Sequence, residues 1–217
     1  MEAAAPWIAF NLTLLAAFLS PGPAMLMALR NTLRGGWAAG MATGCGLALV
    51  AAGWTAAALT GLAAVFAVVP WLYGALKLAG AGYLIWLAVA IWREARAPLP
   101  QVTGVARPAL GRAFGGGVLV NLANPKSVLF AAAVLVVIFP AGLTAGQAAL
   151  VVANHLALEL AGYAVLAWAL SRPAARTGYL RAKSWLDRVA AAVLGALGLQ
   201  LLAGGLRPAA DPLEGTA

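Results

Sequence analysis

Charge is what this chain has least of. Only 9% of its 217 residues are Asp, Glu, Lys or Arg, where a soluble domain averages about 25%. Against that, 64% are hydrophobic and the mean hydropathy is +0.92. A water-soluble fold could not hide so much apolar surface, so lipid must be the solvent for much of it. Cysteine is nearly absent: Cys45 alone excludes an intramolecular disulfide and any dithiol chemistry. It reads as a small packing residue in a Gly/Ala-rich helix. There is no Walker loop, no H-E-x-x-H and no room for an extramembrane nucleotide domain. ATP-driven transport by this chain alone is therefore excluded, metalloprotease or redox-carrier chemistry is disfavoured, and no cofactor or metal is expected. The net charge of +8 does not point to nucleic acid, because the basic residues fall in short clusters between apolar runs rather than in a stripe. The start, "MEAAAPWIAF", lacks the basic region of a cleavable signal peptide, so the first helix is expected to be retained.

What is present is a series of long apolar runs. Spanning the hydrocarbon takes about 20 residues per helix, and six segments qualify: 7–29, 37–59, 70–92, 114–139, 146–170 and 185–206. The second-to-third connection is the loosest boundary, because "TGLAAVFAVV" is itself apolar. Trp7, Trp37, Trp71, Trp92 and Trp185 lie at the predicted ends, as interfacial anchors should. Basic residues sit in alternate connections: Arg30 and Arg34 in the first, Arg93, Arg96, Arg107 and Arg112 in the third, Arg172, Arg176, Arg181, Lys183 and Arg188 in the fifth. The second and fourth connections carry none. The positive-inside rule then makes the odd connections cytoplasmic and puts both termini outside. The expected fold is an all-α integral membrane protein of six transmembrane helices. Residues 1–217 are expected to form a single transmembrane domain, with a short disordered tail at 208–217.

Two places interrupt the apolar runs. "SPGPAM" breaks helix one and "NPKSVL" breaks helix four. Three helices per half is an odd number, so related halves (about 1–95 and 108–207) would be inverted repeats, and paired breaks in such halves mark a transporter's binding site. This repeat rests on topology and break position, since residue identity between the halves is not convincing. Ser20 before Pro21, and Asn124 before Pro125, have the grammar of an N-cap followed by the first helical residue. Each pair would start a half-helix whose electropositive end suits a carboxylate. Gly22, beside Pro23, adds backbone freedom that would admit a ligand closely. Against this stands the plainer possibility that prolines only kink membrane helices.

Lys126 lies at the second break, near the bilayer centre, where burying its charge costs at least about 3 kcal/mol. It would hold a substrate carboxylate, or else form a structural ion pair. Glu159 is the only acid expected deep within a span, with His155 one helical turn before it on the same face. "NHLALELAGY" thus places Asn154, His155 and Glu159 on an apolar background. Glu159 and His155 would form a proton relay or receive a substrate ammonium. The bland alternatives are an interfacial histidine and a Glu159–Lys126 structural pair. Asn11 and Asn121 are further polar residues inside spans. Lys77 is expected to snorkel outward, with a part in an outer gate as the alternative. Gly36, Gly40 and Gly44, at four-residue spacing in "GWAAGMATG", suit close helix packing within the protomer rather than a dimer face.

"SPGPAMLMALRNTLRGGWAAGMATGCGLAL", "ALKLAGAGYLIWLA" and "NLANPKSVLF" resemble the three characteristic stretches of the LysE/RhtB amino-acid exporter family. The likeness covers about residues 10–140 and continues more loosely beyond. Matching positions are Pro21, Gly22, Pro23, Arg30, Gly36, Gly40, Lys77, Gly80, Tyr83, Leu84, Asn124, Pro125 and Lys126. The chain departs from the family at Val50, Ala51 and Ala52, where many members carry a polar residue, and at "VVIFPAG", where they often have Pro-Gln-Phe. The resemblance implies a bacterial inner-membrane exporter of amino acids or close derivatives, driven by the proton gradient. Small-molecule substrate, protons and lipid are then the partners, and a homo-oligomer is left open. Site residues would be Ser20, Pro21, Gly22, Pro23, Asn124, Pro125 and Lys126 for substrate, with Glu159 and His155 for proton coupling. The rival class is a membrane-embedded enzyme or an accessory scaffold. An enzyme would gather polar groups near one interface, and a scaffold would need no charge within the bilayer.

Overall fold

The computed structural model describes residues 5–19, 22–69, 71–96, 107–139 and 143–205. Seven helices carry its regular structure: α1 (Ala5–Leu19), α2 (Pro23–Val68), α3 (Trp71–Glu94), α4 (Leu110–Leu122), α5 (Pro125–Ile138), α6 (Ala145–Leu170) and α7 (Pro173–Gly205). No strand occurs among the described residues. Three stretches, Pro23–Gly61, Ala145–Leu170 and Arg181–Ala203, are long and apolar enough to cross a membrane. A fourth is added if Leu110–Leu122 and Lys126–Leu135, bent by 59° at their junction, are counted as one span.

The distribution of polarity is that of a protein dissolved in lipid. Large apolar side chains such as Ile8, Leu49, Trp86, Leu119 and Val165 are exposed, while Thr13, Thr43, Thr55, Asn121, Asn124, His155 and Asp187 are buried. With no water in the hydrocarbon, polar groups must find partners inside. Thr13, Thr32 and Thr43 do so by donating to the carbonyls of Ala9, Ala28 and Ala39, one turn back on their own helices. Of the tryptophans expected at interfaces, Trp37, Trp71, Trp92 and Trp185 are exposed. Trp7 instead packs edge-on against Phe139, with centroids 5.7 Å apart.

Several boundaries differ from the sequence expectation. Arg30 and Arg34 do not lie in a loop: α2 continues through them and turns at the single residue Gly36, at φ 73 and ψ −166. Only glycine adopts that conformation without strain, so one residue replaces a connection. After the turn α2 runs on through the apolar "TGLAAVFAVV" to Val68, because no breaker interrupts it before Pro70. At the other end, α7 begins at Pro173, twelve residues before the expected start at 185. Proline is favoured at the first helical position, and four of the five cations expected in the fifth connection, all but Arg172, ride on the helix it opens. One of them, Lys183, is buried and pairs at 2.8 Å with Asp187. Glu159 is not the only acid on an apolar helix long enough to cross a membrane. Asp187 is a second, 1% exposed, and lies inside the span that begins at Arg181. Its charge is tolerated there because the partner sits one turn away and neither end is left unpaired.

Packing places two apolar cores side by side. One gathers Phe10, Leu14, Leu84, Leu87, Phe130, Val134 and Leu194 from α1, α3, α5 and α7. The other gathers Met25, Leu29, Leu47, Tyr163, Leu166 and Leu170 from α2 and α6. Close approach fastens the second: Gly40 and Gly44 lie against Thr32, Ala167 and Tyr163 and pack within the protomer, whereas Gly36, expected to do the same, has nothing within 4 Å and serves as the turn. Gly46 and Gly117 bring α2 and α4 into backbone contact. Among the break residues, Gly22, Asn124 and Lys126 line one cavity with Leu14 and Phe130 of the first core and Met25 and Tyr163 of the second.

Candidate functional site

α4 ends at Leu122 and α5 starts at Pro125, and the residue between them that matters is Asn124. Its side chain accepts from the Lys126 amide at 3.1 Å, with Pro125 at the first helical position. This is the capped restart expected from the sequence, and it has a consequence for the site. The first amide proton of α5 is already taken by the cap, and the Ser127 amide bonds to the Asn124 carbonyl at 3.1 Å. What α5 offers a ligand is thus the Lys126 ammonium together with the Asn124 and Ser127 side chains. Those side chains are held in a small network. Asn121 donates to the Leu47 carbonyl of α2 at 2.6 Å, Asn124 donates to Ser127 at 3.1 Å, and Ser127 donates to Asn121. Tyr83 of α3 donates to the Lys126 carbonyl at 3.3 Å.

The first break starts its new helix two residues later than the Ser20 and Pro21 grammar suggested. Pro23 is the first residue of α2, and the Gly22 carbonyl accepts the first intrahelical bond, from Leu26 at 2.9 Å. Ser20 and Pro21 lie outside the described residues. Lys126 ties the two breaks together. Its Nζ donates at 3.0 Å to the carbonyl of Ala17, in the last turn of α1. A Cβ built on Gly22 would lie 3.9 Å from the same nitrogen. The lysine of the second break therefore inserts into the first. A cation at the start of α5 opposes that helix's dipole, but at the end of α1 it meets carbonyls that lack intrahelical partners. Tertiary placement, not local preference, justifies its charge.

Facing Lys126 across a cavity is α6. The cavity encloses about 60 Å³ and is lined by Leu14, Ala17, Phe18, Gly22, Ala24, Met25, Ala51, Asn121, Asn124, Lys126, Ser127, Phe130, His155, Glu159 and Tyr163. One water needs roughly 10–15 Å³ on this measure, so it holds several. Glu159 presents a buried Oε2 with no hydrogen-bond partner, and its Oε1 lies 3.7 Å from His155 Nε2. That separation makes neighbours, not a hydrogen bond. His155 is 3% exposed, and the edges of Phe10 and Phe130 confine its ring.

The residue that sequence reading missed is Thr55. Its Oγ1 lies 2.7 Å from His155 Nδ1, and both residues are buried. With the hydroxyl donating, the ring proton sits on Nε2, the nitrogen that faces Glu159. Thr55 looked like any other helical threonine, and nothing local marks it. Thr55→Val keeps the shape and removes the hydroxyl, leaving Nδ1 buried and unmatched at a cost of about 1–3 kcal/mol. The expected result is an earlier thermal transition of the purified protein in detergent, with Thr55→Ser restoring it. An unchanged transition in the valine variant would mean the contact carries no energy.

Of the other expected polar residues, Asn11 and Asn154 meet: the Asn154 amide donates to Asn11 at 2.7 Å, joining α6 to α1 beside the cavity region. Lys77 lies on α3, its side chain outside the described part, as is the side chain of Pro125. The tail at 208–217 is likewise outside the described residues. No group of three or more His, Cys, Asp or Glu able to hold a metal occurs among the described residues.

The family model for LysE type translocators matches residues 15–205. A homoserine/homoserine lactone efflux protein of Salmonella typhimurium (strain LT2) is 32% identical over 127 residues, 58% of this chain and 61% of that protein. A threonine efflux protein of Escherichia coli (strain K12) is 34% identical over 141 residues, 60% of this chain and 65% of that protein. An uncharacterized membrane protein of Escherichia coli (strain K12) is 28% identical over 188 residues, 85% of this chain and 83% of that protein. The matches to the two efflux proteins thus span less than two thirds of their lengths. No solved structure matches the chain.

Proposed function

The chain belongs to the family of LysE type translocators, and from that premise we propose that it exports amino acids or close derivatives across the bacterial inner membrane by proton antiport. The observation that carries this reading is the cavity itself, where two broken helices meet and set Lys126 across from Glu159. Relatives named for homoserine/homoserine lactone and threonine efflux support amino acids or close derivatives as the substrate class.

In this reading the chain crosses the membrane six times as two inverted three-helix repeats, about 1–95 and 108–207, with both termini outside. Each half consists of a broken span followed by two further helices: α1 and α2 up to Gly36, the rest of α2, and α3; then α4 with α5, α6 and α7. That recurrence supports the repeat. The substrate carboxylate docks at Lys126, with Gly22 and Pro23 from the first break and Asn124 and Pro125 from the second; Ser20 and Pro21, outside the described residues, belong to the same proposed set. The start of α2 adds its positive end, since Gly22, Ala24 and Met25 line the cavity. Glu159, with His155, takes the amine or the counter-moving proton.

Lys126 links binding to movement. A carboxylate competes with the neutral Ala17 carbonyl for the same ammonium, and a charged acceptor makes the stronger bond. Binding thereby loosens the end of α1 from α5 and lets the halves rock, exposing the site to each side in turn. The test is transport by purified protein in liposomes under an imposed pH gradient. Wild type is expected to move a small amino acid against its gradient, and Glu159→Gln, inserted normally, to lose the response to pH. Gradient-driven transport at the wild-type rate in that variant would remove Glu159 from the mechanism.

A further inference from the structure

The charges of the cavity restrict which amino acid it can take, an argument that rests on the transport reading above. Among the described residues lining it, the titratable groups are Lys126 of α5 and His155, Glu159 and Tyr163 of α6; α1 and α2 contribute none. His155 is engaged by Thr55 through Nδ1 and enclosed by aromatic edges. That leaves one full cation and one acid. Glu159 Oε2 is buried without a hydrogen-bond partner, an acceptor that a substrate ammonium would satisfy with one of its three donors. Lys126 answers a carboxylate in the same way.

The rest of the wall is apolar where a side chain would go: Leu14, Phe18, Met25 and Phe130. Among the described residues it has no second acid for a basic side chain and no second cation for an acidic one. Volume points the same way. The cavity is about 60 Å³, which favours a short side chain over a long one.

We infer that the cavity selects small amino acids carrying one free ammonium, one free carboxylate and no further charge. Dibasic and acidic amino acids are rejected, and so are esters and lactones, which lack the carboxylate. A second cation would be desolvated with no acid to meet it. An ester brings an ammonium and no carboxylate, so its bound complex carries one more positive charge than that of the free amino acid. Either penalty amounts to at least about a hundredfold in occupancy for a charge taken into the membrane interior.

Exchange of labelled compound across liposomes containing the wild-type protein tests this without any variant. L-Serine, L-threonine, L-lysine, L-aspartate and L-serine methyl ester are each measured at the same concentration. Serine or threonine is expected to exchange, and the other three to do so at least about a hundredfold more slowly, the size of penalty set by an uncompensated charge. Lysine, aspartate or the ester exchanging within about tenfold of the better neutral substrate would overturn the inference, since that is far below such a penalty. If none of the five exchanges, the amino-acid reading itself falls, and this one with it.

Discussion

Lys126→Met is expected to stop substrate exchange while the protein still inserts and elutes as a single species. The ammonium is the cation that lines the cavity, and its loss leaves a bound carboxylate with nothing of opposite charge to meet. Truncating one partner of a buried, hydrogen-bonded charge pair costs about 2–5 kcal/mol. At about 1.4 kcal/mol per decade, that is roughly thirtyfold to several thousandfold in substrate affinity. The same substitution removes the cation from the end of α1, where it donates to Ala17. A helix-end charge contributes only about 0.3–1 kcal/mol, up to about 2 when partly buried, so transport is expected to suffer far more than stability. Rates normalised to inserted protein separate the two effects. Wild-type exchange in Lys126→Met would mean that the carboxylate is held elsewhere.

Gly117→Val should fail for a different reason: the helices will not close. A Cβ at Gly117 would collide with the Thr43 carbonyl, and one at Gly46 with the Phe114 carbonyl. The obstacles are backbone atoms, which cannot swing aside as a side chain can. α4 must therefore retreat from α2. Overpacking of this kind costs about 1–3 kcal/mol or more, and the retreat also stretches the 2.6 Å bond from Asn121 to Leu47 that anchors the break network. A sharp drop in the thermal transition is expected, together with loss of exchange. Gly115→Val is the control: it lies on the same helix with nothing within 4 Å of its Cβ position, and should behave as wild type. Equal behaviour of the two variants would show that the α2–α4 contact is not under strain.

The two variants sample what could and could not be read from the chain alone. Asn124 and Pro125 were legible as a cap and a first helical residue because capping is a local interaction, complete within three residues. The membrane class was legible because it depends on composition. The first break was placed two residues early, since Ser20, Gly22 and either proline all satisfy the same local rule, and only packing chooses among them. Thr55 was invisible for the opposite reason: its partner His155 is 100 positions away, and a threonine inside a helix usually bonds to its own backbone. Lys183 was read as part of a connection because a helix can extend past the hydrophobic run when its charges pair one turn apart, as Lys183 and Asp187 do.

By itself, then, the sequence determined that this chain dissolves in lipid, that its helices are interrupted at two particular places, and that a lysine, a glutamate and a histidine lie inside the apolar part. These follow from composition and from interactions within a turn or two. Only the tertiary structure decided that the interruptions meet. The contact between Lys126 and Ala17 joins residues 109 apart in the chain, and the Asn121 to Leu47 bond joins residues 74 apart. Which face of one helix touches which face of another depends on small residues such as Gly46 and Gly117 letting backbones approach, a condition on two surfaces at once that no single stretch of sequence contains.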